Sequence, residues 1–151
     1  MTKPTTKSFS KYIIEIAEPV EPYVWSAPCG FTSKSMNLSA STSSVSVPDC
    51  DDPEGSAWDE VGVDGKSVQL QGNGVMADEN TPLWEQWFDS SSPKMVRRRI
   101  PGSGYRQGLG YLTALGDSVA LKSDGNLVQR TMTILGSGPW PWVAGNPADV
   151  A

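Results

Sequence analysis

Alternation of apolar and polar residues runs through much of this chain, and it predicts strands more often than helices. The clearest case is residues 66–76, where Val68, Leu70 and Met76 share one face and glutamine and asparagine occupy the other. A period of two residues is that of a half-buried β-strand. We therefore expect a strand here with one side turned toward a core.

A second alternating segment lies earlier in the chain and changes phase. Met36 and Leu38 fall on one parity, whereas Val45 and Val47 fall on the other. A shift of one residue moves side chains to the opposite face, so a bulge or turn is expected between about residues 41 and 44. The isoleucines of residues 12–17 predict a shorter strand before it.

Three more strands are predicted in the second half of the chain, over residues 95–100, 111–121 and 127–135. The last two flank the sequence Ser-Asp-Gly-Asn at residues 123–126, which is typical of a hairpin turn. Another turn is expected at residues 101–104, where two glycines follow a proline.

A single helix is predicted over residues 81–88. Thr81 can cap its start, and Pro82 suits the first helical position. The apolar residues within it are paired at a spacing of i and i+4, which predicts a broad face for packing on a sheet: Leu83, Trp84, Trp87 and Phe88.

These elements predict a mainly β domain, a β-sandwich or partly closed barrel flanked by one α-helix. Residues 1–10 are polar and lack periodicity, which predicts a flexible N-terminal arm. The domain itself is expected to span residues 11–138. Residues 139–151 hold three prolines and no period, so they are expected to be irregular and to form a C-terminal arm.

Composition agrees with a turn-rich β domain and excludes several kinds of chemistry. The 151 residues include 15 Gly and 12 Pro, and charged residues make up only 19%. Histidine is absent, which removes the usual general base and metal ligand, so no Ser/His or Cys/His catalytic unit can form within the chain. We expect no enzymatic activity and no cofactor.

Charge is segregated along a chain whose net charge is −5. Residues 1–11 carry +3, residues 12–89 carry −12 and residues 90–130 carry +5. Such blocks can be solvated faces, or complementary surfaces of a subunit that associates with its own copies. A net acidic protein does not hold nucleic acid through an overall basic surface.

Five residues are the candidates for contact between subunits. Arg97, Arg98 and Arg99 form a basic run that suits ion pairing within or between subunits. Trp140 and Trp142 lie between prolines in the tail and suit contact with a partner. Exposed tryptophans could also form a sugar-binding platform, which is the competing interpretation.

The two cysteines, Cys29 and Cys50, either pair as a disulfide or remain free thiols. They cannot supply the four ligands of a structural zinc site. The acidic residues around Cys50 invite a calcium interpretation, but Pro53 and Glu54 occupy the fifth and sixth places of a calcium loop that would start at Asp49. No metal site is therefore predicted.

Residues 10–145 resemble the major tail tube proteins of long-tailed bacteriophages and related gene transfer agents. Four stretches carry the resemblance: VPDCDDPEGSAW, QGNG, TPLWEQWF and TMTILGSGPWPW. The resemblance implies a non-enzymatic virion subunit that forms stacked, hexameric rings around a lumen. It also implies contacts with a tape measure protein and with tail terminator and tip proteins, and passage of double-stranded DNA without specific binding.

The competing hypothesis is a β-sandwich carbohydrate-binding or adhesion module. It predicts a monomer that binds glycans through exposed tryptophans. No apolar run approaches the length of about 20 residues that spans a membrane, so no membrane contact is expected. Assembly in a host cytoplasm and a place in the virion tail are what the resemblance implies for localisation.

Overall fold

The computed structural model describes residues 4–8, 11–76, 78–119 and 128–145. Within them lie seven strands: β1 (Ile13–Ala17), β2 (Phe31–Val47), β3 (Trp58–Val75), β4 (Lys94–Ile100), β5 (Gly104–Val119), β6 (Val128–Ser137) and β7 (Trp142–Ala144). One helix, α1 (Thr81–Ser90), follows a single 3-10 turn between β3 and β4.

All seven strands belong to one antiparallel sheet. Its order is β1-β4-β5-β6-β3-β2, and β7 pairs with the start of β5 beside this path. The sheet curls enough to bring its two end strands within reach of one side chain: Lys34 of β2 donates a hydrogen bond from Nζ to the Tyr12 carbonyl, just before β1, at 2.9 Å. The predicted mainly β fold with one helix is confirmed, and its single sheet is open, since β1 and β2 are not paired with each other.

The core fills the inside of this curl. Ile14 and Val96 come from one end of the sheet, and Leu70 and Ile134 from the other. Trp87 of α1 closes the core, and its indole nitrogen donates to the Ser92 carbonyl at 2.9 Å. Buried aromatic residues keep a polar partner in this way, so the helix is held both by packing and by one directed bond.

Helix α1 begins one residue earlier than the pattern indicated. Asn80 is the N-cap, so Thr81 is the first helical residue and its predicted role as the cap is wrong. Trp84 and Trp87 are buried, but Phe88 is exposed, because the sheet covers only about a third of the helix circumference. The apolar face is therefore narrower than the i, i+4 pairs predicted.

Several strands are longer than predicted, because pairing extends past the residues that alternate. Strand β3 begins at Trp58 rather than residue 66, and β5 begins at Gly104 rather than residue 111. The tail was expected to be irregular, and this is wrong for β7, which pairs with Gly104–Arg106. The predicted turn at residues 123–126 lies outside the described residues.

Candidate assembly surfaces

A two-stranded ribbon projects from the sheet. Strands β2 and β3 pair from end to end, but β6 covers β3 only from Gln69 to Val75. Residues 41–65, here called the ribbon, therefore have no strand on either side among the described residues, and every residue from 41 to 64 is exposed. An isolated two-stranded hairpin is at best marginally stable in water, so this segment is a candidate for burial against a partner.

Exposed apolar side chains occur on both faces of the ribbon. One face pairs Val47 with Trp58, and the other carries Val61 and Val63 opposite Ser44 and Thr42. Trp58 is 80% exposed, the highest value among the large apolar residues of the described chain. Several large apolar side chains exposed together on one element mark an interaction site more often than a single exposed residue does.

A β-bulge separates the ribbon from the body of the sheet. The register shifts between Ser41 and Thr42, inside the predicted interval, but the extra residue is in β3 and not in the segment 41–44. Ser41 pairs with Gly65, and Thr42 pairs with Val63, so the extra residue is Asp64 of β3. Its carboxylate accepts a hydrogen bond from the Ser43 hydroxyl at 3.1 Å. Because β2 has no extra residue, Val45 and Val47 face opposite to Leu38.

The ribbon is also strongly acidic. It contains seven Asp and Glu residues and no Lys or Arg, so its formal charge is −7. Four of the acids lie in the turn between β2 and β3, where the Asp49 carboxylate accepts a hydrogen bond from the backbone nitrogen of Asp51 at 3.0 Å. In the described residues no group of three or more acids and cysteines is arranged to hold a metal ion.

Two strands, β2 and β5, each have an edge that is not paired with another strand. Strand β2 ends the sheet, and β4 covers β5 only as far as Gly110, so Tyr111–Val119 has no neighbour on that side among the described strands. The order β2-β3-β6-β5 is antiparallel at each step, so β2 and β5 run in opposite directions. Each edge thus has the polarity required to pair with the other in a second copy.

The face of β2, β3, β6 and β5 that points away from the core is open to solvent. Outside the ribbon it presents amide and hydroxyl side chains with a few apolar ones, and no Asp, Glu, Lys or Arg lies on that part of it among the described residues. On the ribbon, Glu60 pairs with Val45 and lies on the same side of the sheet. We call it the amide face; its central rows comprise Ser35, Asn37, Gln69, Gln71, Asn73, Thr131, Thr133, Leu135 and Tyr111.

The arginine run is divided between two environments of a single subunit. Arg97 and Arg99 both lie against Glu15 of β1, with N–O distances of 3.1 and 2.9 Å. The Arg97 guanidinium also stacks on Trp25 at 4.2 Å from the ring centroid. Glu15 is buried by these contacts, and its carboxylate is paired within its own subunit.

Arg98 lies on the opposite face of β4, near the rings of Tyr12 and Trp142, each about 5.8 Å from the guanidinium carbon. Burial raises the pKa of the Tyr12 hydroxyl above its usual 10.0, and the charge of Arg98 opposes this rise. Arg97 thus serves its own subunit's fold, while the partly exposed Arg98 and Arg99 keep surface for a neighbour. Their contact with another subunit stays a prediction.

The two tail tryptophans also differ. Trp140 is buried in the core and donates from its indole nitrogen to the Leu109 carbonyl at 3.1 Å, and its own carbonyl accepts from Arg106 at 2.7 Å. Trp142 lies on β7 and is half-exposed. Of the two, Trp142 keeps more surface for a partner, and this role too stays a prediction.

Cys29 and Cys50 are both free thiols and both exposed. They lie at opposite ends of the β2 strand, with Cys29 before its first residue and Cys50 in the turn after its last. The amide nitrogen of Asn80 lies 3.3 Å from the Cys29 sulfur. No helix in the described part of the chain is long and apolar enough to cross a membrane.

Sequence reasoning missed two features of these surfaces. Residues 58–65 were not predicted as a strand, because Gly62, Asp64 and Gly65 interrupt the alternation. Glu15 was not foreseen as the partner of the arginines, since the pairing of β1 with β4 joins residues 82 positions apart. Only the acidic residue within an isoleucine-rich strand hinted at it.

Residues 6–128 match the sequence model of a family described as Phage tail tube protein. The fold is similar to a subunit in the tail of an empty gene transfer agent particle, with a TM-score of 0.77 and 17% identity. That similarity covers 92% of this chain and 100% of the other, whose description states C6 symmetry.

Two more distant structures share the fold. A subunit of the SPP1 tail tube matches with a TM-score of 0.59 and 10% identity over 93% of this chain and 80% of the other. A chain of the sheath-tube complex of an extracellular contractile injection system, PVC, matches with a TM-score of 0.59 and 13% identity over 92% and 99%. No curated protein sequence matches the chain.

Proposed function

Because the chain belongs to the phage tail tube protein family, we propose that it is the repeating subunit of a tail tube built from stacked, hexameric rings. The observation that carries the proposal is the pair of unpaired, oppositely directed edges, β2 and β5, in a single open sheet. Pairing the β2 edge of one copy with the β5 edge of the next is a heterologous contact. Such a contact closes into a ring when the rotation between copies divides a full turn.

The stagger of the two edges favours this arrangement. The ribbon extends β2 beyond the sheet at one end, whereas Tyr111–Val119 extends β5 past the reach of β4 toward the other end. Strands that tilt in a barrel shift neighbouring copies along their length, so the two extensions come side by side. The four long strands of each copy then form one continuous barrel, and six copies match the symmetry stated for the gene transfer agent tail.

The ribbon serves as the second assembly element. It exposes valines on both faces, and a neighbour that covers them stabilises both the hairpin and the assembly. The acidic turn at its tip remains hydrated at the surface of such a contact. The other partners we propose are the tape measure protein, the terminator and tip proteins of the tail, and the DNA that travels through the lumen.

Tube formation is the direct test. We expect the purified chain to form tubes at high concentration, visible by negative-stain electron microscopy, and we expect the Val61→Ser/Val63→Ser variant to lose them. These residues are 67% and 60% exposed, so the folded subunit should keep its melting temperature.

The matched control is Val20→Ser/Val24→Ser, whose residues are 70% and 79% exposed but lie outside the sheet. This variant should still form tubes. A wild-type chain that stays monomeric at every concentration, alone and with tail initiation proteins, would exclude the proposal. Binding of glycans by that monomer would favour the carbohydrate-binding module instead.

A further inference from the structure

Cys29 borders a small cavity at the end of β2 that lies away from the ribbon. The cavity has a volume of about 20 Å³, and Cys29, Asn80 and Arg130 are its polar lining. Phe31 and Trp84 supply apolar walls. About 10–15 Å³ is enough to hold one water molecule, so the cavity takes a single oxygen atom and excludes an anion as large as phosphate.

Close packing of the backbone fixes the Cys29 thiol beside this cavity. The Val75 backbone nitrogen donates a hydrogen bond to the Gly30 carbonyl at 2.9 Å. A β-carbon at Gly74 would collide with that carbonyl oxygen, so the close approach of the two segments needs glycine. The Asn80 side-chain nitrogen donates to the Cys29 carbonyl at 3.2 Å and lies 3.3 Å from the sulfur. Cys29 is therefore held in place although it remains exposed.

Arg130 brings a buried positive charge to the same cavity. It pairs with Gly74 across β6 and β3, and it is 7% exposed. Its Nε donates to Asp117 at 2.8 Å, and its Nη2 donates to Glu85 at 2.9 Å. The remaining nitrogen, Nη1, is buried and has no acceptor among the described residues. A buried donor without a partner costs free energy, so an acceptor in the cavity would stabilise this guanidinium.

We propose that Cys29 is a site of reversible oxidation by hydrogen peroxide, and that the cavity holds the oxygen of the resulting sulfenate between Arg130 and Asn80. The thiolate sulfur attacks one peroxide oxygen, and the S–O bond forms as the O–O bond breaks. The other oxygen leaves as hydroxide and takes a proton to become water. The sulfur thus loses two electrons, and the peroxide gains them.

A small thiol such as glutathione reverses the reaction. Its sulfur attacks the Cys29 sulfur and releases the oxygen as water, which leaves a mixed disulfide. A second small thiol then attacks that disulfide, so Cys29 returns to the thiol and the two small thiols leave as their own disulfide. The protein therefore needs no second cysteine for the cycle.

The chemistry of the cavity suits a sulfenate oxygen. Hydrogen bonds from a guanidinium to a negatively charged oxygen are about twice as strong as those between neutral groups. Since the cavity has room for one oxygen, a second oxygen on the same sulfur would find no further place in it. We therefore expect oxidation of Cys29 to pause at the first step, where it is still reversible.

Cys50 is a comparison thiol within the same chain. It is also exposed, but it lies in the acidic turn of the ribbon, which contains no Lys or Arg. A sulfenate at Cys50 would face the carboxylates of Asp49, Asp51 and Asp52 rather than a guanidinium. Hydrogen peroxide is uncharged, so these carboxylates do not keep the oxidant itself away.

The test compares two full-length variants that each keep one thiol. Cys50→Ser retains Cys29, and Cys29→Ser retains Cys50. Each is treated briefly with hydrogen peroxide, the peroxide is removed with catalase, and dimedone is added to trap sulfenic acid for peptide mass spectrometry. We expect about fivefold or more adduct on Cys29 than on Cys50, with sulfinic and sulfonic acid found mainly on Cys50. Equal adduct on the two thiols would overturn the inference.

Variants of the cavity test whether Arg130 and Asn80 act on the oxidised sulfur. In the Cys50→Ser chain, Arg130→Lys and Asn80→Ala should each lower the Cys29 adduct about threefold or more. The matched control is Asn37→Ala, which removes an exposed amide elsewhere on β2 and should leave the adduct unchanged.

Melting temperatures show which of these variants fold. Arg130→Lys alters two ion pairs, whereas the Asn80 side chain makes no capping bond to α1, so Asn80→Ala carries the test if Arg130→Lys does not fold. An unchanged adduct in the folded variants would show that the cavity holds only water and would overturn the inference. All of these measurements use the single subunit, so their failure would leave the proposed tube intact.

Discussion

At the scale of single residues, the partners of the charged side chains are what the sequence predicts least well. Arg97 and Arg99 attract attention as a basic run, but their partner, Glu15, is fixed only by the pairing of β1 with β4. A buried pair loses several kcal/mol when one partner is removed, because the other charge stays buried. Reversing Arg97 to Glu would set two carboxylates together, so it would damage the fold rather than report on assembly.

Trp87 and Trp58, the most buried and the most exposed of the tryptophans compared, give a prediction about stability. Trp87 is 1% exposed, and its replacement by Ala should lower the free energy of unfolding by about 3–5 kcal/mol, because the cavity cannot close. Trp58→Ala, at the exposed ribbon, should change it by about 0.5 kcal/mol or less. Urea unfolding of the subunit measures both, and equal losses would contradict the placement of α1 in the core.

Tyr12 gives a prediction about pH. Burial raises the pKa of its hydroxyl in the folded chain, whereas the unfolded chain keeps a value near 10.0. The folded state therefore holds this proton longer, and the free energy of unfolding should fall as pH rises from 10.0 through the raised pKa.

Tyr12→Phe should remove that part of the decline, while Tyr111→Phe, at an exposed tyrosine, should leave it unchanged. Chemical denaturation at a series of alkaline pH values makes the comparison. An identical decline in the wild type and in Tyr12→Phe would rule out a perturbed Tyr12.

At the scale of elements, the tail shows how one residue can join a segment to the core. Trp140→Ala should destabilise the subunit by about 3–5 kcal/mol, since the ring is buried and bonded to Leu109. Trp142→Ala should leave most of the stability and weaken tube formation. Thermal unfolding and electron microscopy separate the two effects, and equal melting temperatures for the two variants would count against this division.

Periodicity predicted most elements here, and it failed where pairing rather than burial defines the strand. The alternation of residues 66–76 and the isoleucines of β1 identified their strands because one face is buried. In the ribbon neither face is buried, so no alternation had to be kept, and its second strand was missed. Residues 142–144 were missed for a related reason, because β7 exists only through its pairing with β5.

At the scale of the whole molecule, the proposed assembly explains why strand edges and apolar side chains stay unburied in the single subunit. The subunit has two open strand edges and an exposed ribbon, and a lone monomer gains nothing from either. The fold class and the family could be predicted from the sequence. The residues that make up each surface could not be predicted, because the pairing register across the sheet decides which side chains share a face.

The continuity of β2 and β3 through the ribbon has a mechanical consequence. The hydrogen bonds between these strands lie perpendicular to the strand axes. A pull along the ribbon therefore loads them together in shear instead of opening them one after another. If neighbouring rings are tied through this hairpin, a tail under tension or bending transmits force into the middle of each subunit's sheet. Such a joint resists fracture at its root, and deformation is shared along the length of the tail.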